Sequence, residues 1–171
     1  RAGSVHFVQG VAAIGEERAI PTIRAVLSQA QRDAAEAASD RVLVDGPPGA
    51  ACPTAEVAAF ADVCLIVTEP TPFGLHDLER VHGLLAARGR PMAVALNRSR
   101  GGDADREVRR WCQARRLPIL LEVPDRRELA ESYAAGVSLI DADPSLAPAL
   151  DRLLQEMTGL AASAGAREVA G

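Results

Sequence analysis

Short apolar runs alternate with longer, periodic segments through the middle of the chain. The runs occupy residues 42–44, 63–67, 92–96 and 119–123, and each ends in a polar or turn-forming residue. Short apolar runs bounded by turn residues are typical of strands buried on both faces. A further apolar stretch at residues 5–14 predicts another strand, interrupted at Gly10.

Between these runs, apolar residues recur at helical spacing. Helices are predicted from about residue 20 to 39, after Thr54, over 75–89, after Asp103, after Asp125 and from Asp143. Thr54 is expected to cap its helix, and Asp125 and Glu128 have the spacing of a capping box, with Leu129 and Tyr133 facing inward on the helix that follows. Strands that alternate with helices indicate βαβ units with right-handed crossovers. The sequence therefore predicts an α/β fold, with a parallel sheet flanked by helices. One domain is expected over residues 1–158, and the small, weakly patterned residues 159–171 predict a disordered tail.

In a parallel sheet the carboxyl ends of the strands meet at one edge, where open α/β sheets bind their ligands. The pattern places Asp45, Thr68, Asn97 and Pro124 at that edge. Asp45 is followed by Gly-Pro-Pro-Gly, which turns the chain sharply. An acid at this place in nucleotide hydrolases holds Mg²⁺, directly or through water. The alternative is that Asp45 only forms a turn or caps a helix.

Charge and cysteine content narrow the classes of function. The net charge is −4, and every one of the 19 basic residues is arginine. This balance gives no general attraction to nucleic acid or to an anionic membrane. No apolar run approaches the ~18 residues of a membrane span. The three cysteines, Cys52, Cys64 and Cys112, lack metal-ligand spacing, which favours a reducing cytoplasm over a disulfide framework.

Four ordered blocks then identify a family resemblance. They are VDGPPGAACP (44–53), VTEPTPFGLHDL (67–78), ALNRS (95–99) and EVPDRRELAESYAAG (122–136). Together they resemble the MinD/ParA/Mrp group of P-loop ATPases, which includes the nitrogenase iron protein. The resemblance is strongest to the subgroup that carries an inserted ferredoxin domain. It implies part of a doubly wound, three-layer P-loop NTPase fold.

The resemblance also implies roles for single residues. Asp45 looks like the Walker B acid that orders water around Mg²⁺, and Gly49 looks like the switch glycine whose N–H senses the γ-phosphate of ATP. Asn97 is similar to the family's base-reading residue, since an amide offers a donor and an acceptor to the adenine edge. Pro124 and Asp125 resemble the loop that packs on the base. Without the family, Asn97 is equally a turn-forming residue after a strand.

Cys52 follows Asp45 by seven residues. The nitrogenase iron protein has a cysteine at the same offset from its switch acid, and two subunits share its 4Fe–4S cluster. The resemblance therefore implies a homodimer and Cys52 as a candidate cluster ligand. The alternative is an ordinary loop residue, because one thiolate cannot hold a cluster alone. Cys64 and Cys112 fit core positions.

The chain departs from the family in one large respect. It contains no Gly-x-x-x-x-Gly-Lys-[Ser/Thr] loop, and without any lysine it cannot hold a relocated copy. The ferredoxin-type Cys-x-x-Cys-x-x-Cys repeat is also absent. We therefore expect the C-terminal part of an ATP-binding, ATP-hydrolysing protein that works with a ferredoxin-type domain or an iron–sulfur partner. The alternatives are a non-catalytic interaction module built on a degenerate ATPase fold, and a ParA-like DNA-partition ATPase, which the acidic charge disfavours.

Overall fold

The computed structural model describes residues 5–11 and 19–169, with side chains as far as residue 164. The chain divides into two compact units, Arg1–Ala61 and Asp62–Gly171.

In the first unit, two helices contact each other. They are α1 (Ala19–Glu36) and α2 (Cys52–Phe60), and each has one buried residue, Leu27 and Ala58 respectively. A two-pronged ion pair joins them, because Arg24 donates to both carboxylate oxygens of Glu56 at 2.7 and 2.9 Å. The helix predicted from about residue 20 is confirmed.

The strand predicted at residues 42–44 is wrong. These residues belong to no strand, and Leu43 is 94% exposed. A strand requires a hydrogen-bonded neighbour, and no backbone hydrogen bond joins residues 42–44 to another described residue. An apolar sequence alone therefore does not make this segment part of a sheet.

The strand predicted at residues 5–14 is not formed over residues 5–11, where only Val5 makes a bridge. Residues 12–14 lie outside the described residues. Gly10 passes close to α1: a Cβ there would lie 2.7 Å from Val26 Cγ2 and 2.8 Å from Thr22 Cγ2. Glycine is therefore needed at this position for the approach to the helix, not to interrupt a strand.

The second unit contains the parallel sheet. Its strands are β1 (Cys64–Thr68), β2 (Met92–Ser99) and β3 (Ile119–Pro124), and they lie in the order β1-β2-β3 with both pairs parallel. Helix α3 (Pro72–Ala86) connects β1 to β2, and α4 (Asp103–Ala114) connects β2 to β3. The predicted α/β class and three of the four predicted central strands are confirmed.

Both faces of the central strand are covered. Ala95 packs with Leu121 of β3 and Leu153 of the last helix, α7 (Ala147–Val169). Side chains alternate along a strand, so the fully buried Val94 and Leu96 point to the opposite face. The remaining elements are α5 (Arg127–Ala134), α6 (Leu139–Ala142) and a 3₁₀ turn at Pro144–Leu146.

Two details at the C-terminal side differ from the sequence expectations. Helix α7 continues as far as Val169, through the segment for which the sequence predicts a disordered tail. Small residues do not prevent this, since alanine is the strongest helix former. Tyr133, expected to face inward on α5, is 80% exposed, and Leu129 is the buried residue of that helix.

Candidate functional site

Three of the four residues predicted at one sheet edge lie there. Thr68 ends β1 and pairs with Leu96 of β2, while Ser99 at the end of β2 pairs with Pro124 of β3. Because the strands are parallel, Thr68, Asn97 and Pro124 share the carboxyl edge. Asp45 belongs to the first unit and follows no strand, so its predicted place at a strand end is wrong.

Asn97 lies in a β-bulge. The pairing passes from Leu96 opposite Glu122 to Ser99 opposite Pro124, so Asn97 and Arg98 together face the single residue Val123. Arg98 has a φ of +56°, in the left-handed region. Bulges re-aim side chains next to functional sites. The Asn97 side chain is half-buried, and its carboxamide makes no hydrogen bond within the described part of the chain.

Asp125 ties the loop after β3 to the loop after β2. Its backbone N–H donates to the Ser99 carbonyl at 2.9 Å, and its carboxylate accepts from the Arg100 guanidinium. The Asp125–Glu128 capping box expected from the sequence is wrong, because α5 begins after Arg126 and has no side-chain cap. The Asp125 carboxylate forms an ion pair with Arg100, which is distant in sequence, rather than capping the helix.

The sequence reasoning missed Asp105, a buried carboxylate in the first turn of α4. Its side chain is 2% exposed. The Ser99 hydroxyl donates to Oδ1 at 2.6 Å, and the Gly102 N–H donates to Oδ2 at 3.1 Å. The backbone N–H groups of Arg100 and Gly101 also lie near this carboxylate and help to lower its pKa. The sequence does contain a pattern that could have identified Asp105: an acid three residues after Gly102, which is the spacing of a capping box.

These contacts decide what the loop after β2 can bind. Free backbone N–H groups in a glycine-containing turn form an anion-binding concavity. Here the Gly102 N–H is bonded to Asp105, and the N–H groups of Arg100 and Gly101 lie near the same negatively charged carboxylate. Arg98 lies 3.6 Å from the carboxylate of Glu69, and Arg100 pairs with Asp125. The loop therefore fits the uncharged base of a nucleotide better than its phosphates.

In the first unit, Asp45 and Gly49 flank an exposed turn. Gly49 has a φ of +76°, which favours glycine. The Thr54 hydroxyl donates to the Gly49 carbonyl at 2.6 Å and to the Pro47 carbonyl at 3.3 Å. The expectation that Thr54 caps the helix is wrong, since Ala51 holds that position. Thr54 instead fixes the turn between Pro47 and Gly49.

The cysteines do not form a cluster site within one chain. Cys52 is exposed at the first residue of α2, Cys64 is half-buried and Cys112 is buried. Burial raises the pKa of the Cys64 and Cys112 thiols. No group of three or more His, Cys, Asp or Glu side chains that could hold a metal ion occurs among the described residues. The described residues of a single chain therefore do not fit a 4Fe–4S cluster.

Asp45 could hold Mg²⁺ only through water or together with phosphate oxygens, because it belongs to no group of three or more potential ligand side chains among the described residues. His76 is exposed on α3, and Glu69 faces Arg98, so neither adds a metal ligand. None of the helices that the structure describes is long and apolar enough to cross a bilayer.

Comparison with known proteins shows which solved structures share this fold. No family model matches the chain. The cell division ATPase MinD of Pyrococcus furiosus superposes with a TM-score of 0.60 and 21% identity, over 78% of this chain and 57% of that one. MinD in the MinC:MinD cell division complex of Aquifex aeolicus gives a TM-score of 0.64 and 23% identity, over 80% and 59%.

A sequence relative is an uncharacterized protein of Methanocaldococcus jannaschii, 29% identical over 98 residues, which are 57% of this chain and 32% of that protein. The chain thus spans a third of this relative's length and under two thirds of the length of the solved structures. The sheet, its crossover helices and these superpositions together show that the chain has the fold of MinD-type ATPases.

Proposed function

We propose that this chain supplies the base-binding side of an ATP site in a MinD/ParA-type protein, which hydrolyses ATP to drive a conformational switch linked to a partner. The observation that carries the proposal is the unengaged carboxamide of Asn97 at the bulged end of β2. The MinD-like fold supports it, because ligands of open α/β sheets bind at this edge.

Asn97 has the chemistry to read adenine. Its carbonyl oxygen accepts from the exocyclic amino group, and its amide nitrogen donates to a ring nitrogen. The loop of Pro124 and Asp125 would pack on the base, and the hydrogen bond from Asp125 N–H to the Ser99 carbonyl holds that loop against β2. The two loops thus form a preorganised pair.

We assign the hydrolytic side to Asp45 and Gly49. Mg²⁺, when bound, neutralises charge that develops on the transferred phosphoryl group. Asp45 would orient water around that ion, and the Gly49 N–H would donate to the γ-phosphate. The hydrogen bonds from Thr54 to the carbonyls of Pro47 and Gly49 hold the turn that presents this N–H.

The base side is tested by calorimetry of ATP binding to the native protein, meaning the ATPase of which, in this proposal, the 171-residue chain is one part. Asn97→Ala should weaken ATP binding about tenfold, the effect of losing ~1.4 kcal/mol of base hydrogen bonding. Gln113→Ala, which removes an exposed amide on α4, should leave the affinity unchanged. Equal affinity of Asn97→Ala and wild type for ATP would refute the assignment.

The hydrolytic side is tested with Asp45→Asn and the control Asp40→Asn, an exposed acid of the same unit. Asp45→Asn should lower kcat by 10²-fold or more, on the order of other losses of transition-state charge stabilisation, with little change in ATP affinity. Parallel loss of binding and turnover would mean that Asp45 is structural.

A second candidate is a non-catalytic module that docks a partner. It is favoured by the loop after β2, whose backbone donors lie near the Asp105 carboxylate. Native protein that binds its partner but no nucleotide would support it.

The first proposal also includes an iron–sulfur link, a ferredoxin-type partner and a homodimer. They rest on Cys52, and iron analysis with sedimentation of native protein and Cys52→Ser tests them. A ParA-like role would require DNA binding at low salt.

A further inference from the structure

The loop after β2 holds two residues in the left-handed region. Arg98 has a φ of +56° and Gly101 a φ of +72°. The glycine adopts this conformation freely, but for arginine it is strained and persists only when the surroundings over-determine it. Arg98 is the second residue of the bulge that re-aims Asn97, so whatever holds Arg98 also orients Asn97.

Ser99 is fixed from both sides. Its hydroxyl donates to Asp105 Oδ1 at 2.6 Å, and its carbonyl accepts from the Asp125 N–H at 2.9 Å. Beyond it, the Gly102 N–H donates to Asp105 Oδ2 at 3.1 Å, and the N–H groups of Arg100 and Gly101 lie near the same carboxylate. One buried side chain thus anchors both ends of residues 99–102, which follow the bulge.

We propose that Asp105 is a positioning residue that fixes Asn97 toward the base, through Ser99 and the loop backbone, and thereby sets the preference for adenine. The inference rests on the proposed role of Asn97 as the base reader. A carboxamide can flip to offer its donor and acceptor in either order. Discrimination between bases therefore depends on a rigid frame around Asn97, and Asp105 supplies that frame.

The charge on Asp105 is part of this function. Burial raises the pKa of Asp105, but the Ser99 hydroxyl and the nearby backbone N–H groups outweigh burial and hold the pKa below its usual range. The carboxylate is therefore ionised at neutral pH, and its two oxygens accept from Ser99 and Gly102. Asparagine in its place would direct an NH₂ group at one of these donors.

The experiment measures ATP and GTP affinities of the native protein by calorimetry, with three variants. Asp105→Asn should reduce the ratio of ATP to GTP affinity about tenfold, and Ser99→Ala should reduce it in the same direction by less. Asp103→Asn is the matched control: it removes an acid from the same helical turn, but its side chain is 96% exposed and pairs with Arg106. It should leave the ratio unchanged.

The ratio separates positioning from folding, since a purely structural role would weaken ATP and GTP binding by the same factor. A wild-type preference for ATP that both Asp105→Asn and Ser99→Ala retain would overturn the inference and leave the proposed function intact. A wild-type protein that binds no ATP, or binds ATP and GTP equally, would overturn the proposed base site and the inference with it. If Asp105→Asn does not fold, the ratio for Ser99→Ala decides.

Discussion

The three cysteines differ in exposure, and we expect their rates of alkylation to differ accordingly. The thiolate is the reacting form, so access and pKa control alkylation together. Cys52 is exposed, whereas burial raises the pKa of Cys64 and Cys112. We predict that Cys52 reacts with iodoacetamide first, at least tenfold faster than Cys112. Peptide mass spectrometry over time gives the order, and earlier modification of Cys64 would contradict it.

Single residues also show where sequence reasoning stops. Asn97 could be placed at the end of a strand because an apolar run leads into it. Its bulge could not, because no local turn signal marks the left-handed Arg98, and the next residue, Ser99, is held by hydrogen bonds with Asp105 and Asp125. Asp125 was likewise misassigned as a cap, because its partner Arg100 is 25 residues away. The contacts of Asp125 with Ser99 and Arg100 join residues that are far apart in the sequence, so no local pattern reveals them.

At the scale of elements, the C-terminal end of α5 is a Schellman motif. The Val137 N–H donates to the Ser132 carbonyl at 2.9 Å, and the Gly136 N–H donates to the Tyr133 carbonyl at 2.9 Å. Gly136 has a φ of +77° with open space where a Cβ would be, so only its backbone conformation demands glycine.

We predict that Gly136→Ala lowers the free energy of unfolding by about 1–2 kcal/mol, the cost of a left-handed alanine. Gly83→Ala is the matched control: Gly83 lies within the last turn of α3, also with open space around its Cβ position. It should raise the free energy of unfolding by about 0.5–1 kcal/mol, because alanine is the better helix former. Urea unfolding gives both free energies. If Gly83→Ala lowered the free energy of unfolding and Gly136→Ala left it unchanged, the assignment of both glycines would be wrong.

Helices α3 and α4 meet at an aromatic cluster. Trp111 donates to Glu79 at 2.8 Å, the His82 ring meets its ring edge-on at 5.3 Å, and the Arg115 guanidinium lies 4.0 Å from its centroid. Burial, with a smaller effect from Arg115, lowers the pKa of His82. The unfolded chain therefore takes up this proton first as the pH falls, and the stability contributed by neutral His82 is lost.

We predict that the stability of this unit decreases as the pH falls from about 7.5 through the ordinary histidine pKa of about 6.5. Urea unfolding monitored by Trp111 fluorescence measures it, since Trp111 is the single tryptophan. His82→Asn should remove this pH dependence. His76→Asn, a change at an exposed position of the same helix, should retain it. Equal pH dependence in wild type and His82→Asn would refute the assignment.

For the whole molecule, the strands that were predicted well are those that the fold buries. Val94 and Leu96 are fully buried, and the run that contains them indicates β2 without any knowledge of its neighbours. Residues 42–44 have the same local character, yet Leu43 is exposed and unpaired among the described residues. A hydrophobic pattern indicates that a segment can form a strand. The strand forms only where a neighbouring strand accepts and donates its backbone hydrogen bonds.

The last prediction concerns nucleotide binding by the 171-residue chain itself. A phosphoryl group is normally held by a glycine-rich backbone loop and a lysine. This sequence has no lysine, and the N–H groups of the loop after β2 lie near the Asp105 carboxylate. Loss of even one preorganised donor costs about 10²–10³ in rate. The base side alone, one amide with a packed loop, gives about millimolar affinity.

Calorimetry should therefore show that ATP and adenosine bind this chain equally weakly, with or without Mg²⁺, and that ATP is not hydrolysed. Micromolar ATP affinity, or ATP binding a hundredfold tighter than adenosine, would contradict this prediction and reveal a phosphate site within the 171 residues.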